Sequence, residues 1–534
     1  MSTINESYIN ALLSDATYAL DDKIYGGEPG SVITAKLENR MTPTLAKYIG
    51  DNFTVVTHVE SGDVLETGFD ATVWRDKAGK TYVSMRGSEG LADFLSDIDL
   101  TVSGAARSQI ESMVNWWLEN TTEAGADAKQ IILVGGVFIL APSVEGTGIL
   151  SDVSSVSVNG HSLGGHLATV FARLFGGQWD IDHTYTYNSA GFTVTSELFF
   201  KNIELLLDDG MSLNRFPDRS EQSNYYAENG LNVATQNLFN GQNGQRISLF
   251  NEESTGVPNH YMYKLTDSLS LANTLFGLDA SLDTLKINAL FEKSSNKTES
   301  SLKIVLDIFF KIFSSTDMAS TPVGDGGDSI ASRTQYHVNL DVLKSVLFVD
   351  SSVLNLEIKP QYQNLKIITV NSLADAASLD TNEGEAYRYA LLNLNTFAVV
   401  DSGSGNLYVS HNQNGELNAD NFSGQYLTDR AGLLDLITQR NQQDLPDGSA
   451  ITTVDNEVAF YQDLSSGDEI QTFAFAPADK VNHYVFGSKE DDVIEGHGAA
   501  DHFYDMGADC HHKLPPKILS QTRRELIHVQ EVRM

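Results

Sequence analysis

A single cysteine, Cys510, leaves nothing for it to pair with inside the chain, so a disulfide framework is excluded. Nowhere do about 18 apolar residues follow one another, which is the length a membrane-spanning helix requires. The longest apolar stretch, Ile131 to Pro142 (IILVGGVFILAP), is shorter and contains two glycines. The opening MSTINESYINALL lacks a basic region and a small-residue cleavage site, so no Sec-type signal peptide is expected. Basic residues are scarce: 35 Lys and Arg stand against 71 Asp and Glu, a formal net charge of −36. That balance excludes nucleic acid and anionic membrane as electrostatic partners. It permits divalent counter-ions without defining a site for one. What remains is ordinary for a soluble globular chain, with 41% hydrophobic and 20% charged residues. At 534 residues the chain exceeds one core, so two or more domains are expected.

Apolar spacing predicts an opening helix over Tyr8–Leu20 and another over Gln109–Leu118. Val73–Trp74, the turn Lys77–Lys80, and Thr81–Met85 read as two strands and their connection. Val153–Val158 reads as a strand, His166–Phe175 as a helix, and Thr184–Asn188 as a further strand. Strands alternating with helices over the first ~260 residues imply a mostly parallel sheet with helices on both faces. Further on, Leu265–Phe276 and Leu302–Phe313 read as helices, and Thr321–Ser329 (TPVGDGGDS) as a linker.

The chemistry is carried by Gly160-His161-Ser162-Leu163-Gly164, which fits G-x-S-x-G between a strand and a helix. Such a turn exposes a serine hydroxyl above a sheet edge, and its glycines admit close backbone neighbours. The helix that follows aims amides and its positive end at a developing oxyanion. One oxyanion donor is then the amide of Leu163. The other is expected after the strand ending Arg86-Gly87-Ser88, at Ser88. Asp93, Asp97 and Asp99 are expected to cap a helix or pair with Arg86.

RGSEGLADFLSDIDL, GAARSQIESMVNWWL, VNGHSLGGHLATVFARLF and TYTYNSAGF occur in this order. Together they resemble the bacterial lipases and phospholipases that carry RTX repeats, whose core is similar to that of fungal-type lipases. The resemblance covers residues ~60–275 well and the remainder loosely. It implies an α/β-hydrolase core, a Ser–acid–His triad, hydrolysis of lipid esters at an oil–water interface, and export without a signal peptide. The nearest enzymatic rival is a phospholipase A1. The rival of another class is a calcium-binding RTX-type adhesin or toxin with a vestigial core.

In this fold the histidine follows the acid, which follows the serine. His161 and His166 lie too near Ser162 to serve as base, and His183 enters a strand too early. His260, about 100 residues past the serine, is the expected base, with His337 and His411 as alternatives. The acid depends on which segment is the next strand. If it is Ser223–Ala227 (SNYYA), the acid is Glu228; if Ser212–Phe216 (SLNRF), it is Asp218; Glu252 and Glu253 are a third choice. A lipase also needs apolar surface that can be covered in water, and Ile131–Leu140 and Phe309–Phe313 are the candidate lid segments, each equally readable as core.

From Gly487 a nine-residue period sets Asp492 and Asp501 at equivalent places, with Ile494 and Phe503 two residues on. By the RTX resemblance these turns stack as a β-roll, with Asp492 and Asp501 offered to a structural Ca²⁺. Only about two and a half repeats are present, and the basic tail after Asp509 does not continue them. The expected organisation is a catalytic domain over 1–270, a helical lid and linker region over 271–330, and a mixed domain over 331–483. Repeats over 484–509 and a tail over 510–534 complete it.

Overall fold

In the computed structural model the residues described are 3–20, 26–60, 68–87, 105–193, 196–207, 210–228, 240–251, 260–294, 301–313, 330–350, 356–369, 374–403, 407–443, 445–446, 449–452, 458–473, 475–488, 493–495, 501–505, 511–513 and 528–531. Ser88, Asp93, Asp97, Asp99, Glu252, Glu253, Asp492 and the segment Thr321–Ser329 lie outside them. The chain forms two compact units. One is Met1–Phe276 with Gly324–Asp341 and Ser351–Leu356; the other is Gly277–Val323 with Val342–Asp350 and Glu357–Met534.

The first unit is built on seven strands. They are β1 (Phe53–Glu60), β2 (Asp70–Asp76), β3 (Thr81–Met85), β6 (Ser155–His161), β7 (Asp180–Tyr187), β9 (Gln222–Ala227) and β11 (Gln245–Leu249), hydrogen-bonded in that order. Strands β1 to β3 pair antiparallel, and β3, β6, β7, β9 and β11 run parallel. Outside this sheet, β4 (Asp127–Val134) and β5 (Val137–Glu145) form a hairpin, and the two-residue strands β8 (Phe192–Thr193) and β10 (Asn240–Gly241) pair.

Period-2 alternation gives this sheet two apolar faces. Val73, Val83, Met85, Val156 and Val158 pack with Trp117, Phe171 and Phe175 from helices α4 (Ala105–Thr121) and α5 (Leu163–Phe175). Trp74, Tyr82, Tyr185 and Tyr187 pack with helix α1 (Ile4–Ala16) and with α3 (Pro43–Asn52). The first helix begins where a capping box allows: Thr3 Oγ1 takes the Glu6 amide, and Glu6 Oε2 takes the Thr3 amide.

Two readings that the sequence leaves open are decided here. Ser212–Phe216 is not a strand: Asn214 sits at φ 56°, and its amide donates to Ser212 Oγ in a turn. Phe309–Phe313 is not a surface element but the end of the helix Ser301–Phe313. Phe309, Phe310 and Ile312 are buried, and Phe309 stacks near Phe397 of its own unit at 5.1 Å.

The second unit combines helices with small sheets. Its largest sheet pairs strand Asn482–Phe486 in parallel with His502–Asp505, and Tyr484 faces His502 eighteen residues on. A separate pair, Val493–Glu495 with His511–Lys513, repeats that offset, Val493 facing His511. Among the described residues no helix is long and apolar enough to cross a membrane.

Candidate active site

Parallel strands end together, so the loops leaving β3, β6, β7 and β9 emerge along one sheet edge, where open α/β sheets hold their ligands. Gly87, Ser162, Asn188 and Glu228 lie within two residues of those strand ends. Ser162 has φ 58° and ψ −124°, a conformation that costs a non-glycine residue free energy and needs neighbours to enforce it. The neighbours are glycines because nothing larger fits. A Cβ on Gly160 would stand 2.2 Å from the Gly164 oxygen, and one on Gly164 would stand 2.1 Å from the Met85 oxygen. The Ser162 amide donates to the Tyr187 carbonyl at 2.9 Å, and its hydroxyl is buried with no hydrogen-bond partner among the described residues.

The β3 loop reaches the same point. A Cβ on Gly87 would lie 2.9 Å from the Ser162 Cβ and 2.7 Å from the His161 oxygen. The Gly87 amide donates to the Tyr18 hydroxyl at 2.9 Å, and that hydroxyl lies 2.8 Å from His161 Nδ1. His161 Nε2 lies 2.7 Å from the carbonyl oxygen of His260. A carbonyl only accepts, so Nε2 carries the proton, Nδ1 accepts from Tyr18, and the Tyr18 oxygen accepts from Gly87. Burial supports this neutral tautomer, pushing His161 down to about 4. The Asn188 amide group also donates to the His260 carbonyl, at 3.1 Å, while its own oxygen takes the Ala227 amide at 2.9 Å. One chain of hydrogen bonds thus ties four loops to the backbone of His260.

The His260 ring lies against that of His161, with centroids 4.9 Å apart. It keeps a partly exposed edge, but its Nε2 is shielded from solvent. Burial and the neighbouring His161 push it down to about 3, so the imidazole is neutral near pH 7. Glu228 is the first residue past β9; it is half-buried with Oε2 shielded, and its amide donates to the Leu249 carbonyl at 2.9 Å.

Register places the two candidate acids at opposite ends of β9. Tyr225 is level with Tyr187 and so with His161, which sets Glu228 on the serine's edge. Asp218 precedes the strand and is exposed, its carboxylate bonded to the Ser220 hydroxyl at 2.6 Å and amide at 2.7 Å. His337 is occupied elsewhere in the unit, 2.8 Å from Asp267, a carboxylate that Arg333 also grips at 2.8 and 2.9 Å. Burial alone would raise the Asp267 carboxyl, but Arg333 and His337 outweigh it and hold it well below the usual range. His411 belongs to the second unit, 3.0 Å from the Ile312 carbonyl. His166, also buried, stacks on Phe192 at 4.1 Å. Arg86 pairs with Asp70 at 2.8 Å and Glu60 at 3.6 Å.

Sequence reasoning missed Tyr18 and Asn188. Nothing near Tyr18 announces its role, since its partners lie 69 and 143 residues away. Asn188 offered one signal, an asparagine directly after an aromatic strand, where it adopts φ 45°.

Asp501 is buried, and its Oδ1 takes both the amide and the ring Nδ1 of His483 at 3.2 and 3.0 Å. Among the described residues no three His, Cys, Asp or Glu side chains gather as a metal site. Asp492, the other residue offered to calcium, lies outside the described residues.

No protein-family model matches the chain, and no curated protein matches its sequence. Solved structures similar to it are lipases. The Lip2 lipase from Yarrowia lipolytica is 16% identical over 46% of this chain and 78% of its own, with a TM-score of 0.25. A triacylglycerol lipase from Penicillium expansum is 15% identical over 47% of this chain and 80% of its own, with a TM-score of 0.22. M37 lipase is 14% identical over 42% of this chain and 67% of its own, with a TM-score of 0.22.

Proposed function

We propose that the first unit is a serine hydrolase for carboxylic esters of lipids, triacylglycerols foremost. The observation that carries this reading is the strained turn at Ser162, its buried hydroxyl left without a partner at the sheet edge where His260 and Glu228 also lie. In the proposed reaction Ser162 Oγ attacks the ester carbonyl carbon as His260 Nε2 takes its proton. Glu228 holds the imidazole tautomer and stabilises its cation. The Leu163 amide, first of helix α5, donates to the oxyanion, and a second donor comes from the loop past Gly87, at Ser88. The tetrahedral species expels the alcohol, which takes the proton from His260. Water then attacks the acyl-serine by the same route in reverse, releasing the carboxylic acid and restoring Ser162.

Glu228 is preferred to Asp218 because only Glu228 stands on the serine's edge of the sheet. The eighteen-residue register in the second unit, twice the nine-residue period, supports reading the repeats of 484–509 as turns of a short parallel roll of RTX type. No step depends on an ion there.

The test is initial-rate hydrolysis of short and long p-nitrophenyl esters and emulsified triolein by wild type and Ser162→Ala. Turnover that disappears in the variant, and that rises on long chains at an interface, is the expected result. Equal inactivity of both on all these esters and on phosphatidylcholine overturns the proposal.

A further inference from the structure

A strand pair with one face on a core ordinarily alternates apolar inward and polar outward. The β4–β5 hairpin does not. Leu133 and Phe138 pair on its inner face, Phe138 buried 5.3 Å from the Phe199 ring. On the outer face Ile132 stands opposite Ile139 and Val134 opposite Val137, exposed by 42, 47, 54 and 54%. Leu140 adds 55%. From Ile131 through Val144 there is no ionisable side chain, in a chain where 20% of residues are charged.

The hairpin is held rigidly, unlike a cover that must swing away. Asn115 on α4 exchanges two hydrogen bonds with Ile131, at 2.9 and 2.8 Å. Glu111 takes the Leu133 amide at 2.7 Å, and Asn202 takes the Phe138 amide at 2.9 Å. At the tip, Gly135 and Gly136 have φ of 59° and 85°, both positive as a tight two-residue hairpin turn requires.

Its direction follows from the same bonds. Asn115, Glu111 and then Arg107 meet Ile131, Leu133 and then Gly136, so the tip lies beside the first turn of α4. The other end of α4 is tied to the segment feeding β6, with the Leu150 amide on the Asn120 carbonyl at 2.8 Å. That segment enters the amino end of β6, so the hairpin tip stands at the carboxyl edge, where Ser162 is.

We infer that the outer face of this hairpin is the surface by which the hydrolase unit docks on an uncharged lipid phase, inserting Val134, Val137 and Ile139 and bringing the Ser162 edge against it. A rigid apolar face with no ionisable side chain of its own suits an oil surface, with the Arg107 guanidinium bonded to the tip carbonyl of Gly136 at 3.5 Å. A second copy of the chain, or an anionic bilayer, would instead meet the repulsion of a −36 charge. The inference rests on the hydrolase reading for its substrate, but it can be tested apart from turnover.

The full chain carrying Ser162→Ala is mixed with triolein droplets and its bound fraction measured by flotation, with and without Val134→Ser and Ile139→Ser. The double substitution should lower partitioning roughly 100-fold. With Ser162 restored, the same variant should hydrolyse soluble p-nitrophenyl butyrate within about twofold of wild type. Should the serine variant fold poorly, Val137→Trp at the tip serves instead: its emission should shift to shorter wavelength on droplets relative to wild type. Unchanged partitioning, or no wavelength shift, overturns the inference and leaves the hydrolase reading intact. So does loss of a dimer on sedimentation with partitioning unchanged. Droplet binding that depends on the hairpin, in a chain that hydrolyses no ester, supports docking and sinks the hydrolase reading.

Discussion

Each unit contains a buried hydrogen-bonded cluster that includes a histidine, and the two differ in what they leave over. In the second unit Asp429 accepts from the Tyr504 hydroxyl and lies 2.5 Å from His502 Nδ1. Arg430 beside it meets Asp463 at 2.5 Å, both fully buried. Burial and Asp429 together hold the Tyr504 hydroxyl protonated, far above its ordinary range. There each carboxylate has a partner: Asp429 has Tyr504 and His502, and Asp463 has Arg430. In the first unit a chain just as connected, from Gly87 through Tyr18 and His161 to the His260 backbone, ends beside a serine hydroxyl with no partner. Paired carboxylates specify a core; a buried hydroxyl left over on strained backbone is what the proposed reaction uses.

Removing the unspent group should separate the two most sharply. Ser162→Ala and His260→Ala should each lower kcat on a soluble ester by roughly 10⁶, and the double variant by no more than either, because the pair acts as a unit. Additive losses would break the comparison. Next in size, Glu228→Gln should cost roughly 10⁴ in kcat by freeing the wrong imidazole tautomer. Asp218→Asn should change it less than about twofold. The reverse pattern would move the acid to the other end of β9. In the closed cluster the effect should fall on stability instead. Asp429→Ala should cost about 1–3 kcal/mol of unfolding free energy, read in denaturant titrations, with kcat on a soluble ester unchanged.

The strand–turn–helix around Ser162 was legible because glycine is demanded by backbone contact at 2.1 and 2.2 Å, a requirement that leaves its mark in the sequence. Aromatic and β-branched strands such as TYTY of β7 were legible for their packing on a pleated face. The choice between SLNRF and SNYYA was not, since two short segments of similar content differ only in the pairing they find. The apolar segments at 131–140 and 309–313 could equally have been cover or core. One is a half-exposed hairpin and the other a buried helix end, and periodicity in so short a run does not separate these. The Tyr18 linkage was invisible because it joins residues brought together only by the completed sheet.

That linkage yields a smaller prediction. Tyr18→Phe should lower kcat by roughly fivefold, about 1 kcal/mol, with KM little changed. A role confined to packing would lower Tm and leave kcat alone. The smallest effects are those of pH. His161 and His166 are pushed down to about 4 and His260 to about 3, against about 6.5 in the unfolded chain. Between those limits the unfolded chain binds more protons, so stability present above pH 6.5 should fall as pH drops toward 4. His161→Asn should flatten that slope in Tm against pH. Activity should follow His260 itself: kcat/KM at pH 5 should stay within about twofold of its value at pH 7. An acid limb centred near 6.5 would contradict the burial of its ring.

The most direct measurement is covalent. A long-chain alkyl fluorophosphonate reacts only with a serine activated by a neighbouring base. Incubated with the full chain, it should leave one adduct, found by peptide mass spectrometry on Ser162, and His260→Ala should abolish the labelling while the protein remains folded. Absence of an adduct on Ser162, or labelling indifferent to His260, would contradict the claim that this sheet edge is a working nucleophilic site.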